Sequence, residues 1–263
     1  MNSSSIPVNV VGLSGYIVAV AAGNGHTCAL TNAGAVQCWG DNLNQELDAA
    51  NQYRSSPKPV MVAGLEHGVV AITAAGYHTC ALTNAGDVIC WGAYALGSFI
   101  PVEKVDLGDR AVAIAANKDH TCALTARGGV KCWGDKNAHG ELGNGTFDFV
   151  STPVDVVGLN VGVKAITGTC VVMNTRQVKC WGENRNGELG DGTKNDSAVP
   201  VDVTVLPEPV KLILTGNSAQ LAAYACAVTD TDQVKCWGNN STGQLGNASM
   251  IESLTPVEIP GLP

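Results

Sequence analysis

The sequence predicts an all-β fold built from five four-stranded repeats, a β-propeller. The first observation behind this prediction is a hairpin motif that recurs five times and reads HTCALTNAGAVQCWG in its first copy, from His26 to Gly40. The second is its spacing, because the first cysteines of successive copies lie 42 to 56 residues apart, the length of a propeller blade. The third is the set of short apolar runs that glycine-rich turns separate. A solenoid of stacked hairpins is the alternative architecture.

One full repeat, from Pro59 to Trp91, is interpreted as four strands in order. The first strand is PVMV at Pro59–Val62, and the second is the largely apolar run VVAITAAG at Val69–Gly76. HTCALT at His78–Thr83 and DVICWG at Asp87–Gly92 then form a hairpin around the loop NAG. A polar Gly/Asn-rich turn leads to the next Pro-Val strand.

The hairpin register predicts that the two cysteines of each copy form a disulfide. Centring the hairpin on Ala85 places Cys80 opposite Cys90 on one face, with Leu82 opposite Val88. Zinc is disfavoured because its cysteine pairs are usually two to four residues apart. We therefore expect five structural disulfides, Cys28–Cys38, Cys80–Cys90, Cys122–Cys132, Cys170–Cys180 and Cys226–Cys236.

Two copies depart from the glycine that the hairpin turn favours. The first three loops end in Gly34, Gly86 and Gly128, whereas the fourth and fifth have Arg176 and Asp232 at that position. Asp tolerates a left-handed backbone better than most residues, so Arg176 is the sharper local conflict.

Charge and cysteine usage limit the partners and the compartment. The net charge of −8 and the missing basic stripe make nucleic acid an unlikely partner. The longest apolar runs are too short to span a bilayer. Fully paired cysteines predict an oxidising location, extracellular, periplasmic or on the cell surface, although the start of the chain has no signal-peptide pattern.

The combined motif resembles the regulator of chromosome condensation repeat family over essentially the whole chain, in the style of exported bacterial members with Cys-x9-Cys-Trp-Gly blades. That resemblance implies a β-propeller, usually of seven blades, whereas only five repeats are found here. The family's functions include nucleotide exchange on a small GTPase with chromatin binding, ultraviolet-B sensing and inhibition of β-lactamases. The fold does not choose among these functions.

The Pro-Val motif occurs once more often than the hairpin. We expect a single domain over 1–263 with repeats at about 7–58, 59–100, 101–152, 153–199 and 200–255, which leaves a spare strand at 256–263. Either terminal copy, Pro7-Val8 or Pro256-Val257, is a candidate for strand addition to a neighbouring molecule. The competing interpretations are a chain cut from a longer array and a terminal strand that simply packs on the outside.

The candidate sites point to binding instead of catalysis. His26, His78 and His120 occupy equivalent positions but lack counterparts in the last two repeats, so we predict no metal, no cofactor and no catalytic residue. Glu46, Glu141, Glu188 and Gln244 interchange at one turn position, which indicates a hydrogen-bonding role. The candidate interaction residues are the aromatics outside the motif, Tyr53, Tyr94, Phe99, Phe147 and Phe149, together with Pro7, Val8, Pro256 and Val257.

The sequence thus favours a non-enzymatic, extracellular protein-interaction or structural module that self-associates through a spare terminal strand. A glycan- or small-molecule-binding propeller of lectin type is the second hypothesis. An inhibitor of an extracellular enzyme is the third.

Overall fold

A computed structural model describes residues 6–47, 54–94, 99–206, 208–216 and 223–261, with the side chains of residues 99–101 left out. Within these ranges the chain forms twenty β-strands and no helix, and hence no helix that could cross a membrane. All twenty strands belong to five four-stranded antiparallel sheets, as predicted for the blades of a β-propeller. The residues group into two compact units, Met1–Asn84 with Ile89–Lys104, and Ala85–Val88 with Val105–Pro263.

The first unit holds two blades. Blade 1 is made of β1 (Ile17–Ala22), β2 (His26–Thr31), β3 (Val36–Asp41) and β4 (Ser55–Met61). Blade 2 is made of β5 (Val69–Ala75), β6 (Tyr77–Thr83), β7 (Val88–Ala93) and β8 (Phe99–Val105). In both blades the strands follow one another in space as they do along the chain.

The second unit holds three blades with the same strand order. Blade 3 is made of β9 (Ala111–Ala116), β10 (His120–Thr125), β11 (Val130–Gly134) and β12 (Val154–Asp155). Blade 4 is made of β13 (Val163–Thr167), β14 (Cys170–Met173), β15 (Val178–Gly182) and β16 (Ser197–Asp202). Blade 5 is made of β17 (Val210–Gly216), β18 (Tyr224–Thr229), β19 (Val234–Gly238) and β20 (Ser253–Glu258).

The disulfides are confirmed in the positions that the hairpin register predicts. Cys28 lies opposite Cys38, and Leu30 lies opposite Val36 on the same face. Every bridge joins the two cysteines of one hairpin, with Cα atoms 4.0 to 4.1 Å apart. This separation is that of directly opposed residues in an antiparallel pair, so the covalent link and the apolar register support the same pairing.

The predicted place of the Pro-Val strand within the repeat was wrong. Val60 pairs with Cys38, and Val257 pairs with Cys236, so the strand follows its own hairpin and ends the blade. No blade combines strands from both ends of the described chain. Pro256 and Val257 are therefore not spare, because they belong to β20. The unmatched copy is Pro7–Val10, which is exposed and forms no strand.

The hairpin turns hold a left-handed residue whether or not it is glycine. Gly34 and Gly128 both have φ of 82°, while Arg176 has φ of 69° and Asp232 has φ of 66°. Gly34 also needs its missing side chain, since a Cβ there would lie 2.6 Å from the backbone nitrogen of Gly68. The predicted conflict at Arg176 is thus real, and the turn geometry prevails over the residue's preference.

Neighbouring blades pack in a repeated way within each unit. Every blade has a cysteine face, which carries the disulfide, and a tryptophan face on the other side of the sheet. In the first unit Trp91 of blade 2 is buried in the cluster that Cys28 and Leu30 form on the cysteine face of blade 1. Trp181 in blade 4 and Trp237 in blade 5 are buried in the same manner in the second unit. The motif tryptophan is therefore the residue that joins consecutive blades.

Candidate interaction surface

In blades 3, 4 and 5 the turn after the hairpin is organised around one buried asparagine. In blade 3 the side-chain carbonyl of Asn137 accepts a 2.9 Å hydrogen bond from the backbone N–H of Leu142. Its amide donates to the backbone carbonyls of Thr146 and Asp148, at 3.0 and 2.8 Å. One side chain thereby fixes both ends of the turn, and the amide is satisfied in the interior.

The same fixation recurs in the last two blades. Asn184 donates to the carbonyls of Thr193 and Asn195 at 3.2 and 3.0 Å. Asn240 donates to the carbonyls of Ser249 and Ile251, both at 3.0 Å. The three loops therefore have the same geometry, and their residues correspond one to one.

Residues 146–149, here called the aromatic loop, present two large rings to solvent. Phe147 is 55% exposed and Phe149 is 58% exposed. Their backbone is held by Asn137 on one side and by a 2.8 Å hydrogen bond from the N–H of Gly145 to the carbonyl of Ala198 on the other. Because the backbone is already fixed, binding of a partner would restrict the motion of little more than the two rings.

The corresponding loop of blade 5 presents aliphatic side chains that the sequence prediction missed. Met250 and Ile251 are 73% and 76% exposed. Met250 corresponds to Phe147 in the repeat, and Lys194 holds that position in blade 4, where it pairs with Glu252. Alignment of the repeats on the buried asparagine was the signal that could have found these residues.

The other predicted interaction residues do not lie beside the aromatic loop. Tyr94 is buried, and its ring lies 4.6 Å from that of His78, so it belongs to the packing of blade 2. Val8 is 70% exposed in the segment before β1. Tyr53 and the side chain of Phe99 lie outside the described residues.

The turn glutamates have the hydrogen-bonding role that their exchange for glutamine predicts. The Glu46 carboxylate accepts from the backbone N–H and the side-chain amide of Asn44, both at 2.8 Å. Glu188 does the same for Asn186, and the Gln244 side chain accepts from the N–H of Thr242. These side chains close the turn, so the structure gives them a structural role.

The second unit also contains a polar cavity of about 710 Å³. Its charged lining residues pair largely with one another: the ammonium of Lys136 lies 3.9 Å from carboxylate oxygens of both Asp119 and Glu141. Arg185 Nε lies 3.2 Å from a carboxylate oxygen of Glu183. The cavity is thus large enough for a small ligand and is lined by charges of both signs.

Burial shifts the pKa of two carboxyl groups in this cavity. Desolvation raises the pKa of Asp119, and the nearby Lys118 and Lys136 partly offset that rise. Desolvation also raises the pKa of Glu188, against the hydrogen bonds from Asn186. Both shifts follow from burial of a charge that is only partly compensated.

The three equivalent histidines lie inside the blades. His26, His78 and His120 are all buried, and His26 Nε2 lies 2.8 Å from the hydroxyl oxygen of Thr79 in blade 2. Burial lowers the pKa of His26 to about 4 and that of His120 to about 4. In the ranges that the structure describes, no three His, Cys, Asp or Glu side chains come together as metal ligands.

The disulfide-linked, four-stranded blades define this chain as a β-propeller repeat protein. Models of the regulator of chromosome condensation (RCC1) repeat match residues 17–45, 69–93, 111–141 and 223–244, and a second model of that repeat matches 177–222. These segments cover more than half of the sequence. The chain belongs to the regulator of chromosome condensation repeat family.

Individual relatives agree with this assignment. The chain is 28% identical to the ultraviolet-B receptor UVR8 of Arabidopsis thaliana over 99% of its own length and 62% of the receptor. It is 30% identical to the mouse E3 ubiquitin-protein ligase HERC2 over its whole length and 6% of the ligase. The chain thus spans about three fifths of the first relative and a small part of the second.

Solved structures share the fold. Human WBSCR16 superposes with a TM-score of 0.68 at 18% identity, over 94% of this chain and 82% of that one. Prp20p of Saccharomyces cerevisiae, described together with its binding to Gsp1p and histones, has a TM-score of 0.60 at 18% identity, over 93% and 77% of the two chains. At such identity the likeness concerns the fold alone.

Proposed function

We propose that this chain is a non-enzymatic, extracellular protein-binding module whose principal contact is the aromatic loop. The observation that carries the proposal is the exposure of Phe147 and Phe149 on a backbone that Asn137 fixes. Aromatic residues that lose their remaining exposed area in a complex dominate the binding energy of many interfaces. A fixed backbone lowers the entropy cost of presenting them.

Blade 5 supplies further apolar contact area. Met250 repeats the exposed apolar position of Phe147 there, and the neighbouring Ile251 is exposed as well. Apolar residues that become buried form the core of a protein interface. Binding of Gsp1p and histones by Prp20p supports a protein partner for a propeller of this family.

The extracellular assignment rests on the disulfides. All ten cysteines are paired, five bridges in five blades. Such bridges form and persist in oxidising compartments and are rare where thiols are kept reduced. We therefore propose that the protein functions outside the reducing cytosol. Its partner there is an enzyme, a receptor or a matrix protein, which the following experiment distinguishes.

Site-specific photo-crosslinking tests the proposed contact. A photoreactive phenylalanine analogue replaces Phe147 in one sample and Lys194 in the other, in cells that produce and export the protein. Position 194 is the matched control because it lies at the same place in the loop of blade 4 and is also exposed. We expect a discrete covalent adduct from position 147 that Phe149→Ala removes.

Mass spectrometry of that adduct would identify the partner and distinguish a receptor, a structural protein or an inhibited enzyme. Adducts that are the same from positions 147 and 194, or none from either, would overturn the proposal. Circular dichroism and the non-reducing mass of each variant verify that the blades have formed.

The polar cavity supports a second candidate function, the binding of a glycan or small polar molecule. Its size lies within the range of ligand sites, and Lys136, Arg185 and Glu183 place charges of both signs around it. A glycan array with the wild-type chain and with Arg185→Ala tests this alternative. Binding that the variant loses supports it, while an empty array favours the protein-binding function.

Of the two terminal Pro-Val copies, we propose only the amino-terminal one as a self-association element. Pro7 and Val8 are exposed, whereas Val257 pairs with Cys236 in blade 5 and Pro256 belongs to the same strand. Deletion of residues 1–13 should lower the oligomer size if this segment adds a strand to a neighbour. An unchanged size would contradict strand addition.

A further inference from the structure

Two exposed valines on neighbouring blades of the second unit border the aromatic loop. Val157 follows β12 in blade 3 and is 47% exposed, and Val199 in β16 of blade 4 is 38% exposed. Gly145 lies between them, since a Cβ on this residue would be 3.5 Å from Val157 Cγ2 and 4.0 Å from Val199 Cγ1. Phe147 follows two residues later on the same fixed loop. The apolar surface therefore extends from the aromatic loop across Gly145 to both valines.

The next pair of blades is polar at the same repeat positions. Alignment of the repeats matches each apolar residue with a polar one: Phe147 with Lys194, Phe149 with Asp196, Val157 with Thr204 and Val199 with Thr255. The backbone supports this match, because the N–H of Val157 donates to the carbonyl of Gly143 as the N–H of Thr204 donates to that of Gly190. The fold thus tolerates polar side chains at these positions and does not require the four apolar ones. Phe147, Phe149, Val157 and Val199 are here called the apolar rim.

The backbone of the strand that carries Val199 is closed to an added strand. β16 is the outermost strand of blade 4, and the carbonyl of Ala198 in it accepts a 2.8 Å hydrogen bond from the N–H of Gly145. The Val199 carbonyl accepts a 2.7 Å hydrogen bond from the Ser197 hydroxyl. Pro200 has no N–H to donate. A partner must therefore contact this part of the apolar rim through side chains and not by strand pairing.

One uncompensated carboxylate lies within the apolar rim. Asp148 stands between the two phenylalanines, is exposed and forms no ion pair in the part of the chain that the structure describes. The acidic residues of the adjacent strands are already compensated. Asp155 in β12 pairs with Lys131, and Asp202 in β16 pairs with Lys179. Asp148 thus favours a positive group on the partner, whereas a second copy of this chain would bring a further net charge of −8.

We propose that the apolar rim binds an amphipathic helix of a partner protein whose apolar stripe is flanked by lysine or arginine. A helix satisfies its backbone hydrogen bonds internally and presents side chains from one face, which suits a surface whose own backbone is closed. One apolar side chain of the helix lies over Gly145, and a basic side chain reaches Asp148. This inference rests on the proposed protein-binding function and specifies the chemistry of the partner.

Photo-crosslinking from the valine side of the apolar rim tests the proposal. The photoreactive phenylalanine analogue replaces Val199 in one sample and Thr255, its matched position in blade 5, in the other. We expect position 199 to capture the same protein as position 147, and position 255 to capture none. Peptide mapping should place the residues attached to positions 147 and 199 on one face of a partner helix, three, four, seven or eight residues apart.

The outcomes separate this proposal from the function on which it rests. An adduct from position 147 with none from position 199 would overturn the helix proposal and leave the aromatic loop as the binding surface. Attachment to alternate residues of an extended strand, or capture of a second copy of this chain, would also overturn the helix proposal. No adduct from either position would overturn both.

Substitutions taken from the repeat itself keep the test decisive if the bulky analogue disturbs position 199. The double variant Val157→Thr with Val199→Thr introduces the residues that the next blades hold at these positions. We expect it to raise Kd for the captured partner about tenfold through the loss of apolar contact. Val161→Thr is the control, because Val161 is 65% exposed beside the hairpin turn of blade 3, and it should leave Kd unchanged. A wild-type Kd in the double variant would overturn the proposal.

The charge of Asp148 is tested separately. Binding of the captured partner to the wild type should weaken as salt is added, and Asp148→Asn should reduce that dependence. Salt dependence that is the same in both proteins would contradict the basic flank of the helix.

Discussion

The indole nitrogen of Trp237 lies 2.9 Å from the backbone carbonyl oxygen of Glu188 and donates a hydrogen bond to it. Trp237 is in blade 5, and Glu188 closes the turn of blade 4 through its side chain. Within the two units, Trp91, Trp181 and Trp237 thus each reach the turn of the preceding blade. The hydrogen bond therefore connects the hairpin of one blade to the turn of the blade before it, where the two blades pack together.

Removing this bond should cost more than removing the indole N–H of Trp39 in blade 1. Trp237→Phe should lower the free energy of unfolding by about 1–3 kcal/mol, because the carbonyl of the half-buried Glu188 loses its donor. Trp39→Phe should cost less than about 1 kcal/mol, since Trp39 has no described acceptor and is partly exposed. Urea unfolding at low protein concentration measures both, and equal losses would contradict the assigned role.

Each disulfide should stabilise its blade by a similar amount. Cys170 and Cys180 are separated by 10 positions, so their bridge closes a short loop worth about 2–3 kcal/mol in the unfolded-chain model. We expect the double substitution Cys170→Ala with Cys180→Ala to lower the free energy of unfolding by that amount and to keep the strand pairing. Thermal unfolding of the oxidised wild type and of the oxidised variant measures the loss. A variant as stable as the wild type would show that the bridge has no stabilising role.

The buried histidines predict a loss of stability in mild acid. Burial lowers the pKa of His26 to about 4 in the folded chain, while the unfolded side chain keeps a pKa near its usual 6.5. As pH falls below about 6.5, the unfolded state binds a proton that the folded state refuses, so stability decreases until about pH 4. The full effect of one such group is about 3 kcal/mol.

The raised pKa values of Asp119 and Glu188 act in the opposite direction, because the folded state binds their protons first. Comparing wild type with His26→Gln isolates the histidine. We expect the variant to lose less stability than the wild type between pH 6.5 and pH 4. Identical pH dependence of the melting temperature would contradict the assigned burial effect.

The two turns without glycine should gain stability from it. Asp232 has φ of 66° and lies in a hairpin turn, where glycine adopts such a backbone without steric cost. We expect Asp232→Gly to stabilise the chain by about 0.5–1 kcal/mol, since its exposed pairing with Lys211 contributes little. Gly34→Ala is the converse control and should destabilise, because its Cβ would lie 2.6 Å from the nitrogen of Gly68. A destabilised Asp232→Gly would contradict the strain argument.

The buried asparagines should control the loops one blade at a time. Asn137→Ala removes the amide that holds Thr146 and Asp148, so amide hydrogen exchange should accelerate in residues 144–150. Asn184→Ala is the matched change in blade 4 and should accelerate exchange in residues 193–196 instead. Exchange that rises in both loops with either variant would indicate general unfolding and contradict this local role.

Local chemistry made much of the fold predictable. The opposed cysteines, the apolar partners Leu30 and Val36 and the loop residue Gly34 all follow from hairpin geometry, which acts over a few residues. The turn role of Glu46 followed from its exchange for Gln244 in another repeat. Such features need no knowledge of distant contacts.

Features that depend on distant contacts were missed. A repeated sequence does not show at which strand a blade begins. Only the pairing of Val60 with Cys38 shows that the Pro-Val strand ends a blade. Tyr94 was a surface candidate by composition, yet contact with His78 buries it. Conversely, Ile251 has the hydropathy of a core residue but is 76% exposed, because it lies on a fixed loop at the surface.

The affinity for the partner captured at position 147 is the most direct test of the central claim that the aromatic loop is the binding surface. Titration calorimetry would compare the wild type with Phe147→Ala and with Lys194→Ala, its matched position in blade 4. We expect Phe147→Ala to raise Kd about thirtyfold or more, as for a residue that dominates an interface, and Lys194→Ala to change it by less than about threefold. Wild-type affinity in Phe147→Ala would contradict the claim.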